Sequence, residues 1–215
     1  MIKLLTLMLA LAGALPTAMA QDAKTGETKA AMCIGCHGIP RYQASFPEVH
    51  KVPMISGQGA KYIVSALGAY KKGERKHPTM RAIAASLTDK DMADLAAYYE
   101  QHGKSSVVAV ADAAVPAPPS EVAALLTKGA CASCHGANYG KPIDPSYPKL
   151  AGQHADYLYV ALKAYQTEGN PQVGRSNAIM VTQAKQFKHS ELKAMAAYFE
   201  SLQGELKTVP QSKLR

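Results

Sequence analysis

The chain has 215 residues, with 24 lysines and arginines against 16 aspartates and glutamates, and therefore a formal net charge of +8. Such a length has room for about two domains of roughly 100 residues each, and the basic charge suits an acidic protein surface, anionic lipid or nucleic acid. There is no tryptophan and there are only three phenylalanines, so little aromatic interleaving of the basic residues is present, although eleven tyrosines remain available for packing; this disfavours a nucleic-acid-binding protein.

The first 20 residues have the layout of a secretory signal peptide. An early lysine precedes an apolar run from Leu4 to Leu15, and small residues end at Ala20. A retained membrane anchor is the weaker alternative, because the apolar run is shorter than the ~20 residues that a span needs. We therefore expect cleavage before Gln21 and an exported mature chain, and export also argues against nucleic acid.

After this leader, most of the chain consists of two copies of one unit. The matching segments are 33–37 with 131–135, 53–58 with 148–153, and 80–98 with 180–198. This duplication predicts a first domain over 21–103, a linker over 104–119 and a second domain over 120–215. The linker is rich in proline and alanine, which suits an extended and rather stiff connector. The polar tail after Gly204 is expected to be loosely held.

Each copy is predicted to contain three helices joined by long loops. The first helix begins near Asp22 in one copy and after Ser120, a candidate N-cap, in the other. The second carries tyrosine, aliphatic and alanine side chains on one face. The third begins near Thr88, where Asp91 has capping-box spacing, and near Ser190 in the second copy. No period-two apolar alternation is present, so the predicted fold class is all-α.

Both copies contain a Cys-x-x-Cys-His motif, the attachment site for c-type haem. On one helical turn the two thiols reach the porphyrin vinyl groups, and the next imidazole lies beneath the iron. The alternatives are a disulfide within each motif, a thioredoxin-like redox pair, or zinc bound between the copies. The adjacent histidine, the export signal and the lack of a βαβ pattern disfavour all three. The predicted haem-binding residues are Cys33, Cys36, His37, Cys131, Cys134 and His135.

The sixth iron ligand is predicted from the duplication. Only Met80 and Met180 recur in register among the candidate methionines and histidines, and both are expected in loops before the third helix. The alternative is that they are ordinary core methionines. Histidine and methionine together fill the coordination of a low-spin iron and raise its potential. Neither oxidation state then gains or loses a ligand, which suits electron transfer.

A proline follows each histidine ligand in a loop, at Pro53 and Pro148. Proline offers a free carbonyl but no N–H. We predict that these carbonyls accept the Nδ1 protons of His37 and His135, since metal-bound histidines generally have such an orienting partner. The alternative is that the prolines only make rigid turns.

At this point the chain resembles a known family, the diheme cytochromes c of the c4 type, which consist of two class I cytochrome c domains. The resemblance rests on the paired haem motifs, on the Tyr-Pro-Lys-Leu-Ala-Gly-Gln-His run at 147–154 with its looser copy at 53–58, and on the run at 91–99. It covers residues 21–203. The first copy departs from the pattern, because Met54 stands where the second copy has Lys149.

The resemblance implies two covalently bound haem c groups, close at their propionate edges, in domains related by a pseudo-twofold axis. It implies a periplasmic carrier, not an enzyme, between a quinol-oxidising complex and a terminal oxidase or reductase. A diheme peroxidase, which needs an open distal site, is an alternative that the matched methionines disfavour. A cytochrome subunit docked to a membrane dehydrogenase or oxidase stays open.

The expected partners are redox proteins with acidic docking surfaces. We expect a monomer, and peripheral membrane association stays open. A basic cluster precedes Met80, and it predicts a docking face at the methionine side of the first haem. The alternative is a solvated helix end whose cations complement the helix dipole. The cluster consists of Lys71, Lys72, Arg75, Lys76 and His77.

Overall fold

The computed structural model describes residues 21–102 and 115–210, and it is mainly helical. The predicted leader and most of the predicted linker lie outside the described residues. Each half contributes helices in the same order. In the first half these are α1 Ala23–Lys29, α2 Ala31–His37, α3 Ala60–Lys72, α4 Pro78–Ala85 and α5 Asp89–Gln101. In the second half they are α6 Ser120–Lys128, α7 Cys131–His135, α8 Ala155–Gln166, α9 Ala178–Ala184 and α10 His189–Ser201.

The predicted start of the third helix in the first half is confirmed. Thr88 is the N-cap of α5, its hydroxyl accepts the Asp91 N–H, and the Asp91 carboxylate accepts the Thr88 N–H at 2.9 Å. The second copy begins one residue earlier than predicted, at His189. The N-cap predicted at Ser120 is wrong, because Pro119 occupies that position and α6 has no side-chain cap. The first predicted helix of each copy is divided in two.

The loops predicted around Met80 and Met180 are instead short helices, α4 and α9. Pro78 occupies the first turn of α4, where its fixed φ suits a helix and its missing N–H costs nothing. Asn177 caps α9 with its side-chain oxygen. Helices of seven or eight residues carry too little periodicity to be read from the sequence.

The described part of the chain also contains four strands of two residues each that were not predicted, and it remains mainly helical. The pair β1 Gln43–Ala44 and β2 His50–Lys51 forms a hairpin in the first half. The antiparallel pair β3 Arg75–Lys76 and β4 Gly174–Arg175 joins the two halves. Two residues are too few to show an alternating pattern in the sequence.

Each half has its own apolar core. In the first, α1 crosses α5 at Gly26, where an added Cβ would lie 2.1 Å from the Asp94 carbonyl oxygen. In the second, α6 packs on α10 through the buried side chains of Val122 and Leu126. The first crossing therefore depends on backbone contact and the second on side-chain packing.

Residues 205–210, the described part of the tail that was predicted to be loosely held, instead contact the first half. Leu206 is only 5% exposed, and the Lys207 N–H donates to the Ser56 carbonyl at 3.0 Å. Burial of this apolar side chain explains why the tail is held down. The C-terminal segment of the second half thus contacts the first half. Within the described ranges, no helix is long and apolar enough to cross a membrane.

Candidate haem sites

The two cysteine motifs lie on short helical turns, as the haem hypothesis requires. The first occupies the end of α2, and the second makes up the whole of α7. All four cysteines are half-buried and unpaired. Within 21–102 and 115–210 no group of three or more histidines, cysteines or carboxylates is arranged to hold a metal ion.

Each motif histidine contacts the proline carbonyl named from the sequence. His37 Nδ1 lies 2.9 Å from the Pro53 oxygen, and His135 Nδ1 lies 3.1 Å from the Pro148 oxygen. A carbonyl can only accept, so Nδ1 carries the proton in both rings and Nε2 keeps its lone pair. Burial lowers the pKa of both histidines, which favours the neutral imidazole that a metal needs.

The two in-register methionines have equivalent backbone environments. Met80 is the third residue of α4, and its N–H points to the Nδ1 of His77 at 3.4 Å. Met180 is the third residue of α9, and its N–H donates to the Oδ1 of Asn177 at 3.1 Å. Both side chains are half-buried. His77 therefore serves as a helix cap, equivalent to an asparagine in the other half.

Two arginines face each other where the halves join. Arg75 and Arg175 are partners across the β3–β4 pair. Arg75 donates to the Tyr62 hydroxyl at 3.0 Å, and Arg175 to the Tyr157 hydroxyl at 3.2 Å. Each guanidinium also lies over a second tyrosine ring of its own half. No ion pair found in the described residues joins either arginine to a carboxylate.

The cytochrome c family model matches residues 23–102 and 120–203. The chain belongs to the cytochrome c family. It is 30% identical over 190 residues to cytochrome c4 of Pseudomonas aeruginosa, a match that covers 85% of this chain and 90% of that protein. It is 31% identical over 185 residues to a thiosulfate dehydrogenase electron acceptor of Stutzerimonas stutzeri (strain A1501), covering 82% of each.

Among solved structures, reduced cytochrome c4 from Pseudomonas stutzeri superposes with a TM-score of 0.62 at 27% identity, covering 86% of this chain and 100% of that one. The chain is thus a tandem cytochrome c of the c4 type, which confirms the predicted fold and family. As a member of this family it carries two covalently bound haem c groups, each with an iron, and transfers electrons.

The residues present fit this cofactor. The motif histidines offer a neutral Nε2, and the motif cysteines are unpaired. The guanidiniums of Arg75 and Arg175 repel each other, because the charge of Arg175 by itself lowers the pKa of Arg75, and neither has a carboxylate partner among the described residues. A nearby anion would therefore stabilise both of them. Haem propionates are anions of that kind, and arginine binds carboxylates through parallel hydrogen bonds.

The sequence alone does not indicate that these two arginines lie together. It predicts Arg75 as part of the basic docking cluster, whereas in the structure the Arg75 guanidinium contacts Tyr62 at the junction of the halves. A usable signal of their recurrence was present, because Arg75 precedes Met80 by the same five positions that separate Arg175 from Met180. The tyrosines under both guanidiniums recur in the duplication as well.

Proposed function

We propose that each half holds one haem through its cysteine motif, with a histidine and a methionine as axial ligands. The supporting observation is that both halves repeat the same contacts, a histidine Nδ1 on a proline carbonyl and a capped methionine N–H. The first set is Cys33, Cys36, His37, Met80 and Pro53, and the second is Cys131, Cys134, His135, Met180 and Pro148.

The haem iron supplies a one-electron Fe(III)/Fe(II) couple, and the protein's residues hold its surroundings constant. Pro53 and Pro148 fix the orientation and tautomer of the histidines. Capping of α4 and α9 fixes the backbone at Met80 and Met180. If a histidine and a methionine of the protein both bind each iron, little would have to move when an electron is gained or lost. This favours a carrier over a diheme peroxidase, which needs a displaceable ligand.

Substitution of the methionines tests this assignment. Met80→Ala and Met180→Ala should each abolish the methionine-to-iron charge-transfer band of one haem and lower its potential, since a soft thioether stabilises the ferrous iron. Met32→Ala is the matched control, because Met32 is 50% exposed and has alanine as its counterpart. A variant of either predicted ligand that kept both bands and both potentials would overturn the assignment for that haem.

For the carrier's place in metabolism, we propose the periplasm, with a quinol-oxidising complex as donor and a terminal oxidase or reductase as acceptor. The likeness to cytochromes c4 over most of the chain supports this role. A second candidate donor is a thiosulfate-oxidising dehydrogenase, because one relative of similar coverage is named as the electron acceptor of such an enzyme. Stopped-flow reduction of the holo-protein by each donor class distinguishes the two.

A further inference from the structure

Two buried glutamines cross between the halves in a reciprocal arrangement. Gln58 and Gln153 occupy matching positions in the duplication, and each is only 3% exposed. Gln153 accepts the Met54 N–H at 3.0 Å and donates to the Met54 carbonyl at 2.9 Å. Gln58 accepts the Lys149 N–H at 3.0 Å and donates to the Lys149 carbonyl at 3.1 Å. Each side-chain amide thus binds both backbone groups of one residue in the other half.

The residue bound by Gln153 is next to the partner of the first histidine. The Pro53 carbonyl and the Met54 N–H belong to one planar peptide group. Its oxygen receives the His37 Nδ1 proton, and its N–H donates to Gln153. Because that plane is rigid, holding the N–H also holds the carbonyl. Hydrogen bonds in series also polarise one another, so the bound peptide is a stronger acceptor for the histidine.

The second half has the same chain of contacts in the opposite direction. The peptide between Pro148 and Lys149 accepts from His135 through its oxygen and donates to Gln58 through its N–H. Each glutamine is also fixed locally, because its Oε1 accepts the N–H of the following residue as well. The loop that orients each histidine is therefore held by a buried side chain of the other half.

We propose that each glutamine positions the haem-binding histidine of the other half. Gln153 orients His37 of the first haem, and Gln58 orients His135 of the second haem. The proposal rests on the axial assignment made under Proposed function. A well-ordered acceptor on Nδ1 makes the imidazole a stronger electron donor, which stabilises ferric iron and lowers the potential. Removal of a glutamine should therefore raise the potential of the haem in the opposite half.

The test is a spectroelectrochemical titration of the full-length holo-protein with Gln58→Ala or Gln153→Ala, together with proton NMR of the oxidised haem methyl groups. Met80→His and Met180→His, each of which replaces a ligand on one haem, assign the signals. Gln153→Ala should move the potential of the first haem upward and leave the second unchanged, and Gln58→Ala should do the reverse. Ser176→Ala removes another hydrogen bond between the halves, to Glu74 at 3.2 Å, and should move neither potential.

A shift confined to the haem of the glutamine's own half would overturn the proposal, and so would equal shifts in both haems or none in either. If the alanine variants fail to mature, Gln58→Met and Gln153→Met decide, because they keep most of the side-chain volume and remove the hydrogen bonds without adding a charge. They should shift the potentials in the same crossed pattern. Failure of the axial assignment would be visible separately, as a wild-type haem without a methionine charge-transfer band.

Discussion

The two halves repeat the same contacts at their predicted haem ligands, but they pack their first and last helices together in different ways. In the first half, Gly26 brings α1 against the backbone of α5, beside a fully buried carboxylate at Asp94. In the second half, α6 crosses α10 through the side chains of Val122 and Leu126, and the counterpart of Asp94 is Ala194. The histidine and methionine contacts, in contrast, are repeated in both halves.

This difference indicates where the duplicated unit is constrained. Helix packing tolerates several solutions as long as volume and apolar character are kept. Orientation of a metal ligand tolerates far less, because it depends on one acceptor at one distance. Residues at the helix crossing should therefore affect only the stability of their half. Residues that contact the histidine or the methionine should affect the properties of the haem.

The largest effect is expected from Gly26→Val. The added side chain would collide with the Asp94 carbonyl, which is backbone and cannot rotate away. We expect a loss of about 3 kcal/mol or more from the first half. Amide hydrogen exchange in α5 and α10 measures each half separately. Ala124→Val, at the matching and exposed position of α6, should cost less than ~1 kcal/mol, and equal losses from both variants would refute the contrast.

A smaller effect is expected from Asp94→Asn. Burial by itself would raise the pKa of Asp94, but hydrogen bonds from Lys90, the Asp22 N–H and Lys29 outweigh it and lower the pKa below its usual 3.8. The substitution should cost the first half about 1–3 kcal/mol near neutral pH, as expected when buried charged partners lose their bond.

The Asp94 carboxylate also makes the stability of the first half depend on pH. Because the folded pKa is lowered, the Asp94 contribution is present above about pH 4 and is lost as the pH falls through the folded pKa. Exchange in α5 should therefore accelerate in acid more in the wild type than in Asp94→Asn. Asp89→Asn, at an exposed position of the same helix, is the control. A wild type and variant with parallel acid profiles would speak against this role.

The smallest effect concerns partner docking, because the basic residues on the two halves differ in whether a carboxylate neutralises them. Lys71 and Lys76 donate to carbonyls of Leu87 and Asn170, so their charges are not neutralised, and Lys72 is exposed. In the second half, Lys185 is paired with Glu168.

Lys72→Glu should slow electron exchange with an acidic partner severalfold at low ionic strength, and added salt should remove the deficit. Lys188→Glu should have little effect. Stopped-flow rates at a series of salt concentrations measure both variants. Slowing that is independent of salt, or equal slowing by the two variants, would place the docking face elsewhere.

The features that were predictable from the sequence are those that the duplication repeats. The cysteine motifs, the tandem arrangement and the capping box at Thr88 are local patterns, and a second copy made the first easier to interpret. Met80 and Met180 are predicted as ligands because only they recur in register, and this assignment stays a prediction, although the structure gives both the same position in a short helix that was not foreseen.

Contacts between the halves were not predictable, because they join residues far apart in sequence. The β3–β4 pair has two residues per strand, and Gln58 and Gln153 carry no local signal of the partners they bind. The order of residues 205–210 depends on the burial of Leu206 and on contacts with Ser56 and Lys149, which are far away in the sequence. Tertiary contacts decided these features, whereas composition and periodicity were uninformative about them.

Proton NMR of the reduced holo-protein shows whether both halves hold a haem through histidine and methionine. A methionine bound to low-spin iron lies against the porphyrin, whose ring current moves its methyl resonance far upfield. We expect two such resonances, one of which is lost in Met80→Ala and the other in Met180→Ala. A single upfield methyl resonance, or two that survive either substitution, would contradict this expectation.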